Sequence, residues 1–148
     1  MRIWHKDLIK VLPQKQLVAQ WRELCCMAKN VRKDGTPNHL LVNKILDYPL
    51  NHFVVYSNMV LKEMSDRKIN VNKNTYLKFV ENLEAGGKHF NNDIDKVIPV
   101  WNEIFGSWHN ERYLIQCLHN LEEKYDCGGM SEDEWNKIKD QFYEVLYR

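Results

Sequence analysis

The sequence contains no run of apolar residues that approaches the roughly 18 needed to cross a bilayer. The opening stretch from Met1 to Lys6 also lacks the apolar core of a secretory signal peptide, so we expect a cytoplasmic protein without a membrane partner. Alternation of apolar and polar residues with a period of two is absent, and so are internal repeats and low-complexity tracts. These absences argue against membrane-spanning, secreted, all-β and repeat proteins.

Recognisable metal and phosphate motifs are missing as well. The six histidines show neither His-x-x-x-His nor His-Glu-x-x-His spacing, and no glycine-rich phosphate loop occurs. The cysteines form no Cys-x-x-Cys pair, and we expect reduced thiols, of which those on apolar helix faces act as small hydrophobic side chains. The sequence therefore predicts no metal and no cofactor. The four cysteines are Cys25, Cys26, Cys117 and Cys127.

The chain length of 148 residues is typical of one soluble domain. Hydrophobic residues make up 44% of the chain and charged residues 28%, a composition typical of ordinary globular proteins. Apolar residues recur at three- and four-residue spacing almost throughout, as in Leu17, Trp21 and Leu24. We therefore predict a single compact all-α domain of several helices that spans residues 1–148.

Proline, glycine and capping residues indicate where these helices begin and end. A turn is predicted at Asp34-Gly35-Thr36-Pro37. The first long helix is predicted to start at Pro13, a short helix to run from Asn38 to about Asp47, and a longer helix to start at Pro49. A further helix is predicted to end at Gly86-Gly87, and another to run from Ile94 to Ile104 with a break at Pro99. Of the last two helices, one is predicted to end before Gly128-Gly129 and the other to start with a Ser131/Glu134 capping box.

The net charge of +1 neither requires nor excludes a nucleic-acid partner, because a basic face can coexist with an acidic one. The last third of the chain is rich in acidic residues, whereas basic residues are concentrated near the start. The N-terminal part is therefore the better candidate for contacting phosphates. Its basic residues include Arg2, His5, Lys6, Lys10, Lys15, Lys29, Arg32 and Lys33.

Glu23 lies on the polar side of the first long helix. On a helical wheel of about 100° per residue it points away from the apolar stripe and shares its face with Gln16 and Gln20, while Arg22 lies at the edge of the stripe. A solvated helix face explains such a glutamate without any function. Spacing alone does not single Glu23 out.

A resemblance to a known family does single it out. The opening Met1-Arg2-Ile3, followed by Trp21-Arg22-Glu23-Leu24, resembles the start of the pyrimidine-dimer DNA glycosylases, whose members include phage and cellular enzymes. The likeness covers most of the chain and is strongest from Met1 to His39. Further segments similar to the family are Val31-Arg32-Lys33, Gly35-Thr36-Pro37-Asn38-His39, Met64-Ser65-Asp66-Arg67 and His109-Asn110-Glu111.

The resemblance implies a DNA repair enzyme that uses its main-chain amine. Family members attack the sugar C1′ of a damaged nucleotide with that amine, form an imine, and cut the strand by β-elimination. An α-amine suits this role because its reference pKa of about 7.7–8.0 leaves more free amine at neutral pH than a lysine has. Carried over by position, Met1 supplies the nucleophile and Glu23 the essential carboxylate. The bulk of Arg2 disfavours removal of Met1.

The resemblance also implies which residues contact damaged double-stranded DNA. Trp4 lies beside the proposed nucleophile and is expected to stand apart from the core, against a base or sugar. His39 and His109 are singled out by the family segments alone, and without the resemblance they suit surface or capping positions. The implied DNA-contacting residues are Arg2, Trp4, Gln16, Arg22, Arg32, Lys33, His39 and His109.

Two other functions remain open at this point. The chain suits a non-catalytic helical module that binds DNA or protein, or an imine-forming lyase that acts on abasic sites only. Cys25-Cys26 stand where a phage member has a further arginine, and the C-terminus lacks that member's aromatic-rich segment, so the lesion stays open too. We expect a monomer.

Overall fold

The computed structural model describes residues 1–93 and 99–148, and these residues form helices joined by short connections. The described residues contain no β-strand, so the predicted all-α class is confirmed. The single-domain organisation stays a prediction. The α-helices are α1 (Gln14–Asp34), α2 (Leu50–Asp66), α3 (Lys73–Gly86), α4 (Glu111–Asp126), α5 (Glu132–Gln141) and α6 (Tyr143–Leu146). Short 3-10 helices cover Lys6–Val11, Val42–Asp47, Gly87–His89 and Trp101–Glu103.

Several predicted helix ends are confirmed, each for a local reason. Helix α1 ends at Asp34 because Gly35 adopts a left-handed φ of 76° and its N–H bonds back to the Val31 carbonyl. Helix α4 ends at Asp126, before Gly128-Gly129 as predicted, and Gly128 has a left-handed φ of 80°. The capping box at the start of α5 is present as predicted.

Three predictions about helices differ from the structure. The helix predicted from Asn38 starts only at Val42, because Asn38 has a φ of 63° that an α-helix does not allow. The last helix is divided at Phe142, which separates α5 from α6. In the segment predicted as Ile94–Ile104, residues 94–98 lie outside the described residues, and Trp101–Glu103 is a 3-10 helix.

Helix α1 is the central element, and it packs against both α2 and α3. Its contact with α3 is close: a β-carbon on Gly86 would lie only 3.0 Å from the Arg32 backbone nitrogen. The glycine therefore allows the end of α3 to approach the last turns of α1. Among the described residues, no helix is both long enough and apolar enough to cross a membrane.

The N-terminal segment, residues 1–5, has no regular secondary structure and yet is largely buried. Ile3, Trp4 and His5 belong to the interior, and the His5 ring packs against the rings of His109 and Tyr113. The following 3-10 helix is held by Arg67, whose guanidinium donates hydrogen bonds to the carbonyls of Leu12 and Lys10. This path brings Met1 to the side of α1.

Candidate active site

The amine of Met1 and the carboxylate of Glu23 meet at the surface of α1. The Met1 nitrogen lies 3.9 Å from Oε1 of Glu23, and the Arg2 N–H donates to Oε2 at 3.4 Å. The Glu23 side chain is 32% exposed, so solvent or a ligand reaches it from one side. One oxygen is thus oriented by the main chain, and the other faces the amine.

Gln20 lies one helical turn before Glu23 and is fully buried. Its Nε2 donates to the Arg2 carbonyl at 2.8 Å, and its Oε1 accepts from the Trp4 N–H at 2.8 Å. The prediction that Gln20 shares a solvated face with Glu23 is wrong, because the N-terminal segment covers this part of α1. The helical wheel considers one helix alone and does not include such a covering segment.

Two tyrosines complete the hydrogen bonding of this segment. The Tyr56 hydroxyl of α2 lies 2.6 Å from the Trp4 carbonyl and 2.9 Å from Oε1 of Gln20. The Tyr113 hydroxyl of α4 donates to the Ile3 carbonyl. Burial raises the pKa of both tyrosines well above the ordinary value, so both hydroxyls stay protonated and act as donors.

Arg2 contacts the interior as well as the surface. Its guanidinium lies 5.3 Å from the centre of the Trp4 ring, and Nη1 is 3.8 Å from Sγ of Cys117. The prediction that Trp4 stands apart from the core is wrong: its side chain is 5% exposed and packs beneath Arg2. Trp4 therefore supports the N-terminal segment and presents no open ring face to a base.

His109 is buried too, which corrects its interpretation as a surface residue. Its Nδ1 accepts the Lys6 N–H at 3.0 Å, and its ring stacks on His5 with centroids 5.0 Å apart. Lys6 is only 7% exposed, and its ammonium donates to the Ile104 carbonyl at 2.7 Å. Neither His109 nor Lys6 is thus free to contact a phosphate. Both hold the start of the chain in place.

This cluster makes stability depend on pH. Burial, with the nearby His5 and Lys6 charges, lowers the pKa of His109 from 6.5 to about 2, and burial also lowers the pKa of His5. Unfolded histidines bind a proton below about pH 6.5, whereas folded His109 stays neutral, so stability is lost as pH falls below that value. We expect a loss of at most about 1.4 kcal/mol per pH unit for each histidine.

Urea unfolding between about pH 7 and pH 5 measures this slope. His109→Gln retains an oxygen that accepts the Lys6 N–H but does not titrate, so its slope should be shallower than that of the wild type. His39→Gln, at an exposed position, is the matched control and should leave the slope unchanged. An equal slope in the wild type and His109→Gln would contradict the assignment.

The other predicted DNA-contacting residues lie in two places. Gln16 and Arg22 line an open groove of about 420 Å³, together with Lys15 of α1 and Gly129 and Glu134 from the C-terminal part. Neither Met1 nor Glu23 is among the residues that line it. The groove is therefore beside the amine and carboxylate rather than around them.

Arg32, Lys33 and His39 lie at the far end of α1 and in the loop after it. Arg32 donates to Oδ1 of Asn82 at 3.1 Å, so part of its role is to join α1 to α3. Lys33 and His39 are exposed. Arg32 is nine residues from Glu23, which corresponds to about 14 Å along the helix axis.

Sequence reasoning missed a cationic stripe, formed by Lys15, Arg22, Lys29 and Lys33. At about 100° per residue these four exposed residues lie within roughly 20° of one line along α1, and no acidic residue of the helix lies within about 60° of it. The stripe is about 27 Å long at 1.5 Å per residue. The seven-residue spacing of Lys15, Arg22 and Lys29 was the signal that could have revealed it.

The part of the chain that the structure describes contains no group of three His, Cys, Asp or Glu side chains arranged to hold a metal ion. Cys117 is buried and Cys25 is half-buried, while Cys26 and Cys127 are exposed. Burial raises the pKa of Cys117, so its thiol stays protonated beside Arg2.

A comparison with protein families gives a match over the N-terminal half of the chain. The family model described as pyrimidine dimer DNA glycosylase matches residues 1–77, just over half of the chain. This span contains Met1, Gln20, Glu23 and Tyr56, and it ends before Tyr113. No curated protein and no solved structure matches the chain.

Proposed function

This chain belongs to the pyrimidine dimer DNA glycosylase family, and we propose that it is a glycosylase with AP-lyase activity whose nucleophile is the Met1 amine. The observation that carries this proposal is the pairing of that amine with the Glu23 carboxylate, 3.9 Å apart at a partly exposed site. A nucleophile beside a carboxylate that can move protons is the arrangement that imine chemistry needs. The proposal requires that the mature chain begin at Met1, which an intact-mass measurement checks.

In the proposed reaction the lone pair of the Met1 amine forms a bond to the sugar C1′. The bond between C1′ and the base breaks, and the base leaves with its electron pair and takes up a proton. The bond between C1′ and the ring oxygen then breaks, the oxygen takes a proton from the attacking nitrogen, and an imine remains. No metal or cofactor enters these steps.

Glu23 has two roles in this scheme. Its negative charge stabilises the positive charge that develops at C1′. Its Oε1 then removes a proton from C2′, and the electron pair of that C–H bond expels the 3′ phosphate, which cuts the strand. The hydrogen bond from the Arg2 N–H to Oε2 orients the carboxylate for both steps.

The cationic stripe supports duplex DNA as the substrate. Its four side chains extend about 27 Å along α1, a length over which a DNA duplex presents many phosphates. Arg22 adjoins Glu23 in the sequence, so phosphate contacts along the stripe would bring the sugar-phosphate backbone to the amine. We propose pyrimidine dimers as the lesion because of the family match. The monomeric state and the cytoplasmic location stay predictions.

Borohydride trapping tests the proposal. Borohydride reduces an imine to a stable amine, so the protein incubated with a dimer-containing or abasic duplex should become covalently attached to the DNA. Peptide mapping should place the adduct on Met1. It should not lie on Lys6, the nearby lysine whose pKa burial lowers. An undamaged duplex is the control.

The outcomes of this experiment separate the candidate functions. An adduct with both damaged duplexes supports the glycosylase with AP-lyase activity. An adduct with the abasic duplex alone would indicate a lyase restricted to abasic sites. Binding without any adduct would indicate a non-catalytic helical module and would refute the proposal.

A further inference from the structure

We propose that Gln20, Tyr56 and Tyr113 are positioning residues, which together form a backbone clasp that sets the Met1 amine against Glu23. This inference rests on the proposed function for its catalytic consequence. The three residues come from α1, α2 and α4, so three separate helices hold one short segment. The clasp acts through Met1 and does not itself touch the reacting atoms.

The clasp binds main-chain atoms rather than side chains. Gln20 bonds to the Arg2 carbonyl and the Trp4 N–H, Tyr113 bonds to the Ile3 carbonyl, and the Tyr56 hydroxyl reaches the Trp4 carbonyl. The segment therefore obtains from side chains the hydrogen bonds that helices and strands obtain from their own backbone. The position of the segment is therefore fixed through residues 2–4, whatever side chain residue 1 carries.

The buried polar groups of the clasp are explained by the segment that they hold. Gln20 and Tyr56 are both fully buried, and burying an amide or a hydroxyl is costly unless it is hydrogen-bonded. The hydrogen bonds of the Gln20 side chain go to the N-terminal segment and to Tyr56. An apolar residue such as leucine would suit a buried position on a helix. The amide of Gln20 is therefore explained by its hydrogen bonds to the N-terminal segment.

The clasp also fixes the register between nucleophile and carboxylate. Gln20 and Glu23 are three residues apart on α1, so they project from the same side of one rigid helix. The amide holds residues 2 and 4, and the carboxylate then faces residue 1 and the Arg2 N–H. A shift of the segment by a fraction of a residue would move the amine away from Oε1.

Removing single hydroxyls is the mildest way to loosen the clasp. Tyr56→Phe and Tyr113→Phe keep the buried rings, and Gln20→Met keeps the volume of the side chain. Since a displacement of about 1 Å can reduce the rate of a positioned reaction by about 10²-fold, we expect imine formation to slow by 10-fold or more in each variant. DNA affinity should stay within about twofold, because the phosphate contacts lie on the cationic stripe.

The experiment measures three quantities for each variant. They are the single-turnover rate of borohydride trapping on an abasic duplex, the Kd for the same duplex, and hydrogen exchange of the Trp4 N–H. Tyr48→Phe is the matched control, because it removes a hydroxyl that bonds to Ser107 rather than to the N-terminal segment. We expect slower trapping and faster Trp4 exchange in the three clasp variants, with an unchanged Kd, and no change in the control.

Two results would overturn the inference. Trapping at the wild-type rate in the clasp variants would show that the amine does not depend on the clasp. A loss of rate matched by an equal loss of folded protein would show a structural role only. If the wild type forms no adduct, the proposed function fails, and Trp4 exchange then decides the clasp: unchanged exchange in the variants refutes it.

Discussion

Replacing Glu23 by glutamine is expected to stop strand cleavage while leaving DNA affinity unchanged. Glutamine has nearly the same shape as glutamate. Its amide oxygen can still accept the hydrogen bond that the Arg2 N–H donates to Glu23 at 3.4 Å. It carries no charge to stabilise the positive charge at C1′, and it cannot remove the C2′ proton. Loss of a general base typically costs about 10²- to 10⁴-fold in rate, and we expect a loss in this range.

Strand cleavage of an abasic duplex under single-turnover conditions measures this effect, together with the Kd for the same duplex. Glu63→Gln is the matched control: Glu63 of α2 is also a partly buried glutamate, 15% exposed, but it pairs with Arg67, directly after that helix. The control should cleave at the wild-type rate. Cleavage by Glu23→Gln at that same rate would remove Glu23 from the mechanism.

The helices of this protein follow from its sequence because their determinants are local. Gly35 ends α1 through its left-handed backbone, and Ser131 with Glu134 starts α5 through paired hydrogen bonds. Such signals need only neighbouring residues. Asn38 shows the limit, since its positive φ depends on the loop in which Thr36 and Asn43 bond to each other.

The candidate site was only partly predictable, because some of its residues follow from the family resemblance and others depend on contacts between distant parts of the chain. Met1 and Glu23 came from the family resemblance, and no periodicity singles either of them out. Gln20 and Trp4 were misplaced because periodicity describes a single helix, whereas their burial arises from an irregular segment lying across α1. Tyr113 contacts Ile3 across 110 residues of sequence, a contact that no local pattern encodes.

The cationic stripe, by contrast, needed no tertiary information. Lys15, Arg22 and Lys29 recur every seven residues within a helix whose limits were predicted, so their common face follows from helix geometry alone. Grouping the basic residues by region of the chain does not reveal this seven-residue spacing. Lys6, which that grouping includes, is buried and bonded to a carbonyl, and only the structure separates it from the exposed cations.

The second large effect is expected from adding one residue before Met1. The extension converts the Met1 amine into an amide, whose nitrogen lone pair is delocalised and no longer nucleophilic. The new amine lies one residue farther along the chain, about 3.3–3.6 Å away for extended backbone. Because the backbone clasp holds residues 2–4, the segment cannot slide inward to compensate. We expect borohydride trapping on abasic and dimer-containing duplexes to fall to background.

A protease-removable extension makes this comparison within one preparation. Before cleavage the protein should bind the abasic duplex with the wild-type Kd and form no adduct, and after cleavage restores the Met1 amine the trapping should return. The unchanged Kd shows that the extension affects the chemistry and not the cationic stripe. Persistent trapping by the extended chain would contradict the proposal and would indicate that a lysine is the nucleophile. Lys6 would be the first lysine to test, because burial lowers its pKa. The two variants are thus complementary: Glu23→Gln leaves the amine intact, and the extension leaves the carboxylate intact.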